Sequence, residues 1–381
     1  MPWKDSSVAT QRVHLVQALL AGVEPISVIC QRFNVSRQTC SKYHRRWLAL
    51  GPPGLQDQSR RPHTSAKLSQ RWRRRLLQLR RAHPTWGARK LRWLLRRRFC
   101  GRLPAERTLQ RWLATAGLTR RRLWRRHVVL QRGVAPTPAR HSNHVWTIDL
   151  KGWFRTHDGS KIEPLTVRDL ASRFVLCTQP LASRGEPTVR RVCARLFRRY
   201  GRPRVIRCDR GAPFFGDGPH GFTRLSLWWW RLGIRVEFVR RGRINNNAHE
   251  QMHAVLQAEL VIAATPIAQA RALARWRKRY NEARPHDALG LRTPASLYRP
   301  RPTPLPDLHV PTYPAAWLVR PVRRSGGIYL PGWRGTIGRA FGGLPVGLKP
   351  IGPQSYHVYF GTLLLGELDL RGRRKLMLTP A

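Results

Sequence analysis

Val145-Trp146-Thr147-Ile148-Asp149-Leu150 opens a run to Phe154 that places Val145, Thr147 and Asp149 on one side and Trp146, Ile148 and Leu150 on the other. Such period-two alternation marks a strand. A carboxylate where an apolar strand runs out asks for a reason, and two further acids ask for the same one. Asp209 ends Val205-Ile206-Arg207-Cys208-Asp209, and Glu250 stands in Asn246-Asn247-Ala248-His249-Glu250-Gln251 at the start of an amphipathic helix. The chain carries 72 Lys+Arg against 19 Asp+Glu, a net charge of +53. Carboxylates gathered in so positive a field suit hard divalent cations beside a polyphosphate.

Outward from residue 145 the pattern gives an element order. Strands are expected at Ile162 to Val167, Phe174 to Leu181, Arg204 to Cys208 and Ile234 to Val239. Helices are expected at Pro187 to Tyr200, Leu225 to Leu232, Asn246 to Ala264 and Pro266 to Tyr280. An antiparallel meander followed by alternating units predicts a mixed five-stranded sheet with helices packed on it. This order is that of an RNase-H-like α/β core, expected over residues 140–299. It brings Asp149 and Asp209 to neighbouring strand ends. On a helical wheel Glu250 lies nearly opposite Met252, Val255 and Leu256, so it reaches the site only from the helix margin. His249 and His253 read as a solvated helix face, Asp169 and Asp217 as turn residues, and Trp228-Trp229-Trp230 as core packing.

Upstream, Val8 to Ala21, Ile26 to Phe33 and a helix opened by Ser36 form a helix-turn-helix plan over residues 1–56. Arg37, Gln38, Thr39 and Lys42 lie near the start of its reading helix. Residues 65–135 form a second such block, with helices at Leu68 to Ala82, Ala88 to Phe99 and Pro104 to Ala116. Arg107, Gln110 and Arg111 occupy the exposed face of the last helix, and the run Arg120-Arg121-Arg122 beyond it suits phosphate contacts. Past Pro300-Arg301-Pro302 the chain becomes Pro/Gly-rich and strand-like. Residues 315–375 are expected to close into a small β-barrel.

Composition bounds the partner. Of the basic residues nine are Lys and 63 are Arg. A pI near 11.9 makes an anionic polymer the expected partner, here double-stranded DNA. The six Cys form no CxxC pair, so a structural zinc is not expected. No apolar run of about 20 residues occurs, so no membrane span is expected. Scattered thiols and the absence of a signal-like run after Met1 fit a cytoplasmic protein.

These motifs carry a resemblance. Trp146-Thr147-Ile148-Asp149, Cys208-Asp209-Arg210-Gly211 and Asn246-x-x-x-Glu250 resemble the three signatures of DDE transposases with a retroviral-integrase-like core. Tyr280-Asn281-Glu282-Ala283-Arg284-Pro285-His286, leading to Thr293-Pro294-Ala295, resembles the segment that closes this core in bacterial insertion-sequence transposases. The resemblance covers nearly the whole chain, and the missing zinc-binding N-terminal domain places it nearer the insertion-sequence branch. It implies two Mg²⁺ ions, with Mn²⁺ able to substitute, held by Asp149, Asp209 and Glu250. It also implies DNA cleavage and strand transfer at element ends and in target DNA, a homo-oligomer on DNA, and a bacterial, nucleoid-associated setting. The chain departs from the family in two places. Arg210 stands where Asn is usual, and Arg240 to Asn247 lacks the prolines and second glycine of the usual loop. The rival readings are a non-catalytic DNA-binding derivative acting as a repressor, and an RNA–DNA-hybrid nuclease.

Overall fold

Ser7 starts the first helix, α1 (Val8–Ala21): its hydroxyl accepts from the Thr10 amide, and Gly22, left-handed at φ 63°, stops it. The computed structural model describes residues 7–58, 70–119, 136–239, 248–371 and 377–378. The chain divides into two compact units, 1–68 and 69–381. In the first, α2 (Ile26–Arg32) leads through Asn34 at φ 50° to α3 (Arg37–Leu50). Ser36 caps α3 by accepting from the Thr39 amide at 3.2 Å. The three helices close over Leu15, Val16, Ile29, Cys40 and Tyr43, which is the three-helix plan read from the sequence.

The second unit begins with α4 (Gln70–Ala82), α5 (Ala88–Arg98) and α6 (Glu106–Thr115). Their apolar stripes meet at Leu76, Leu91, Leu95, Leu109 and Leu113. The sheet follows: β1 (Val145–Leu150), β2 (Phe154–Arg155), β3 (Lys161–Asp169) and β4 (Val175–Leu181), then α7 (Glu186–Tyr200), β5 (Val205–Asp209), α8 (Arg224–Arg231) and β6 (Arg235–Val239). The helices α9 (Ala248–Glu259), α10 (Pro266–Glu282) and α11 (Pro294–Leu297) complete this part.

The mixed sheet runs β4-β3-β1-β5-β6, with the two-residue β2 as a sixth strand on β3. β1 is antiparallel to β3 and parallel to β5, and β5 is parallel to β6. One face packs Trp146, Ile148, Leu165, Val167, Ile206 and Cys208 against α7 and α8. The other receives α9 and α10, which bury Met252, Leu256, Leu273 and Trp276. Trp228 and Trp229 are core residues, 6% and 0% exposed.

Two expected elements are shorter than the sequence pattern suggested. The run from Val145 to Phe154 breaks after Leu150, because Gly152 adopts φ +85°, a left-handed conformation that a strand does not accommodate. The break leaves Asp149 one residue from the strand end. The helix expected to Ala264 stops at Glu259. Beyond it, the Ala263 and Ala264 carbonyls accept from the His157 and Asp158 amides, both at 3.1 Å. Buried Gln269 holds the same segment by accepting from the Ala263 amide at 2.7 Å.

The C-terminal part is β-rich as expected, and the described residues show sheets without a closed barrel. β7 (Leu318–Pro321), β10 (Pro345–Gly352), β11 (Ser355–Phe360), β12 (Leu363–Asp369) and β13 (Met377–Leu378) form an open sheet in the order β13-β12-β11-β10-β7. The hairpin of β8 (Gly327–Leu330) and β9 (Trp333–Thr336) stands apart from it. Among the described residues no ladder joins the two sheet edges. The hairpin and the central α/β core cover the apolar face instead: Ile328, Leu330 and Trp333, with Phe222 and Leu227 from around α8, share one cluster with Val346, Val358 and Phe360.

Candidate active site

The parallel pairing of β1 and β5 builds the site. Val145 pairs with Val205, Trp146 with Ile206 and Thr147 with Arg207. Two residues further on, the same register sets Asp149 beside Asp209, on the face opposite Trp146 and Cys208. Burial pushes the Asp149 carboxyl up to about 7, and the neighbouring Asp209 charge adds to the rise. Two carboxylates at adjacent strand ends cannot both ionise cheaply without a cation. Gly211 is needed here for space. A Cβ on it would stand 2.9 Å from Asp209 Oδ2, so any larger residue displaces the carboxylate.

α9 meets the pair from the side. His253 Nε2 and Thr166 Oγ1 are 2.9 Å apart, and Thr166 Oγ1 donates to the Asp149 carbonyl at 3.0 Å. Thr166 therefore accepts from His253 Nε2–H, which leaves Nδ1 without a proton, 3.9 Å from Asp149 Oδ2. Burial, then Lys151 and Arg168, lower the His253 pKa to about 4, so this ring is neutral near pH 7. His249, 2% exposed, is likewise driven well below the ordinary range by burial, and His253 adds to the effect. The solvated face expected for these two histidines is thus wrong. Met252, Leu256, His249 and His253 share the buried side of α9, because i, i+3 and i+4 positions stack on one face. Neither Thr166 nor the inward histidines were signalled by the sequence: a His beside an acid reads as polar until the helix phase is known.

Glu250 lies in the first turn of α9 and is exposed. Among the described residues no group of three His, Cys, Asp or Glu side chains gathers at metal-binding geometry. The structure brings two of the expected acids together and leaves the third at the helix margin. Asn246 and the rest of 240–247 lie outside the described residues. Arg210 turns along its own loop, its guanidinium 5.3 Å from the Phe215 ring centroid.

The segment after α10 has a structural role. Asn281 accepts from the Val175 amide and donates to the Val175 carbonyl, both at 2.9 Å, so it pairs with β4 as a strand would. Arg284 Nη1 reaches Glu259 at 2.5 Å, and Trp276 Nε1 donates to the same carboxylate at 3.0 Å. Thr85 from the α4–α5 turn donates to it as well. Asp169 is buried and holds the β3–β4 turn by accepting from the Ser172 amide at 2.8 Å. Asp217 is exposed.

Of the expected DNA contacts, Arg37, Gln38 and Lys42 are exposed on α3, and Thr39 is half-buried with its hydroxyl 3.0 Å from Ser36 Oγ. Arg107, Gln110 and Arg111 are exposed on α6. Arg120, Arg121 and Arg122 lie outside the described residues. Among the described residues no helix is long and apolar enough to cross a membrane.

Comparison with known proteins agrees with this architecture. Residues 139–244 and 232–294 match integrase core domains. Residues 318–376 match the C-terminal domain of IS481 family transposases. Residues 11–63 match a helix-turn-helix domain, and 39–113 a homeodomain-like domain. An insertion element IS407 protein of 31.7 kDa from Burkholderia multivorans is 28% identical over 278 residues, covering 71% of this chain and 94% of that protein. Among solved structures, the chain is similar to the simian T-cell lymphotropic virus intasome in complex with PP2A regulatory subunit B56 gamma. That match has a TM-score of 0.36 and 15% identity, over 78% of this chain and 100% of the other. The catalytic core domain of BIV integrase gives 0.31 and 18%, over 41% and 94%. These structural likenesses are weak, and the fold rests on the strand order instead. Strand order, the core-domain and transposase C-terminal-domain matches and the insertion-element relative all point to an insertion-sequence transposase built on an integrase core.

Proposed function

We infer that the chain cleaves DNA at element ends and transfers the resulting strand to target DNA, using Asp149, Asp209 and Glu250 as its acidic triad. The observation that carries this reading is the β1–β5 register, which sets two carboxylates side by side in a chain of net charge +53. Their chemistry fits a hard divalent cation: oxygen donors, neighbouring like charges, and a carboxyl pushed up to about 7 by burial and by the Asp209 charge. Mg²⁺, with Mn²⁺ as substitute, is the ion this donor set would hold, with Glu250 completing it from α9. When bound, two such ions would activate a water or a DNA 3′-hydroxyl and steady the leaving oxygen.

The chain's own residues supply position. Thr166 holds the Asp149 backbone and His253 together, so α9 is tied to the strand that carries Asp149. The His253 Nδ1 lone pair faces the carboxylate and adds no charge to it. The exposed Arg37, Gln38 and Lys42, with Thr39, and the second set Arg107, Gln110 and Arg111, are proposed to read and hold double-stranded DNA, with Arg120 to Arg122 on phosphates. A homo-oligomer assembled on DNA is part of the same proposal.

The test is the pH dependence of metal binding without DNA. The ion requires Asp149 ionised, and the free carboxyl titrates near 7. The apparent Mg²⁺ affinity should therefore fall by up to about tenfold per pH unit below 7 and level off above about 8. Calorimetric titration of Mg²⁺ into the full chain at pH 6, 7 and 8 checks this. An affinity unchanged between pH 6 and 8 contradicts the assignment of Asp149 as a ligand.

A further inference from the structure

Glu259 is the last residue of α9, the helix whose first turn carries Glu250. A carboxylate at that end faces the negative pole of the helix dipole, which local electrostatics disfavours. Donors from three separate segments converge on it instead. Thr85 Oγ1 of the α4–α5 turn donates to Oε1, Arg284 Nη1 donates to the same oxygen at 2.5 Å, and Trp276 Nε1 of α10 donates to Oε2 at 3.0 Å. Arg284 Nη1 also donates to Thr85 Oγ1 at 3.1 Å, which closes a triangle of hydroxyl, guanidinium and carboxylate. The Arg284 and Glu259 side chains are 6% and 21% exposed. Beside the triangle, Lys90 of α5 lies 3.2 Å from Asp287, and the Arg284 guanidinium 6.0 Å from the Trp86 ring centroid. The block α4–α6 is thereby seated on the end of α9 and on the segment after α10, all within one compact unit.

This seat lies where it governs Glu250. Glu250 and Glu259 are nine residues apart on one helix. That spacing is about 13 Å along the axis and, at about 100° per residue, puts the two side chains on opposite faces. Turning α9 about its axis therefore cannot move one without moving the other. The helix buries Met252 and Leu256 on the sheet and is tied midway by His253 to Thr166. Apolar burial is non-directional and tolerates a small rotation, whereas hydrogen bonds to a carboxylate fix an angle. With His253 as the fulcrum, the bonds at Glu259 set the turn of the helix and hence the approach of Glu250 to Asp149 and Asp209.

We propose that Thr85 and Glu259 are positioning residues, through which the α4–α6 block fixes the rotation of α9 and so presents Glu250 to the Asp149/Asp209 pair. The proposal rests on the triad reading for the role of Glu250. It gives Arg284 of the closing segment a purpose, because this guanidinium clamps Thr85 to Glu259. It also makes the acidic site depend on a block that carries none of its acids. The third carboxylate is in place only while that block is seated.

The test compares the full wild-type chain with Thr85→Val, which removes the hydroxyl at nearly constant shape, and Thr85→Ser, which restores it. Mg²⁺ is titrated calorimetrically without DNA. Melting is recorded without metal, and kcat and KM are measured for a duplex donor taken from the DNA flanking the coding sequence. Thr85→Val is expected to weaken Mg²⁺ binding by about five- to tenfold and to lower kcat by about tenfold. Donor KM should stay within about twofold, and the metal-free melting temperature within about 4 °C, the effect of one hydrogen bond. Thr85→Ser should return Mg²⁺ affinity and kcat to within about twofold of wild type. Wild-type Mg²⁺ affinity in Thr85→Val, whatever its melting temperature, overturns the proposal, because the contact would then serve the fold alone. A raised donor KM with unchanged kcat overturns it too, as does an equal loss in Thr85→Ser, which would trace the effect to packing. Glu250→Gln, titrated in parallel, separates the proposal from the reading beneath it. If Glu250→Gln binds Mg²⁺ as wild type does, the triad reading fails and takes the proposal with it. If Glu250→Gln weakens Mg²⁺ binding and Thr85→Val does not, the positioning role fails alone.

Discussion

Asp149→Asn is expected to abolish cleavage and strand transfer while making the metal-free protein more stable at pH 8. The loss of activity follows from removing a ligand on the ion that activates the nucleophile. Such charge stabilisation is worth several kcal/mol, so a fall of about a thousandfold or more is expected. The stability gain follows from linkage. Burial, with the Asp209 charge, holds the Asp149 carboxyl at about 7 in the folded state, against an ordinary value of 3.8. A raised folded pKa means that the folded protein keeps its proton where the unfolded chain has lost it. Stability is therefore full below about 4 and declines as pH rises through 7. At pH 8 the ionised carboxylate destabilises the fold, and neutral Asn removes the cost. The side chain is 22% exposed, so the gain is on the order of 1–2 kcal/mol, less than the whole shift implies. Thermal unfolding at pH 8 and pH 5 reads it: the variant should melt above the wild type at pH 8, with the gap narrowing at pH 5. A variant that is less stable at pH 8 would show that Asp149 is satisfied in the free protein.

Glu250→Gln should lose activity to a similar degree with no such change in stability. Glu250 is exposed in the first turn of α9, where losing its charge costs only the favourable interaction with the helix dipole, about 0.3–1 kcal/mol, a small loss opposite in sign to the gain expected for Asp149→Asn. The two variants thus share a catalytic phenotype and differ in the unfolding curve. The difference separates a carboxylate crowded at a strand end from one that must swing in from a helix margin. Wild-type strand transfer by Glu250→Gln would remove Glu250 from the triad and direct attention to other acids near Asp149, such as Glu163, which contributes to the rise in the Asp149 pKa.

Much of this site was legible before any coordinates. Alternation around Val145 to Leu150 and the buried run Val205 to Cys208 gave both strand ends, and the β-β-β-α-β-α-β order made them neighbours. The helix-turn-helix blocks were equally plain, since Ser36 and Gly22 mark helix boundaries through well-understood backbone chemistry. The histidines were not. His249 and His253 are polar, and only the packing of α9 beside β1 and β3 decides that they point inward at Thr166 and Asp149. The strand break was hidden in one glycine, Gly152, whose φ is set by the turn into β2. Closure of the C-terminal strands was not legible, because strand patterning shows which residues face a core but not what covers them. Here the cover comes partly from Phe222 and Leu227, about a hundred residues upstream. Asn281 is the clearest case of a motif residue whose chemistry needed coordinates, because its amide completes the β4 edge at Val175.

The most direct test of the central claim is strand transfer itself. DNA segments flanking the coding sequence serve as duplex donors with a supercoiled plasmid as target, and wild-type protein is compared with Asp209→Asn in Mg²⁺, in Mn²⁺ and in EDTA. The account predicts joined donor–plasmid products with wild type in Mg²⁺ or Mn²⁺, none in EDTA, and none with Asp209→Asn although that variant still binds the donor. Joining by Asp209→Asn at the wild-type rate, or joining in EDTA, would contradict it.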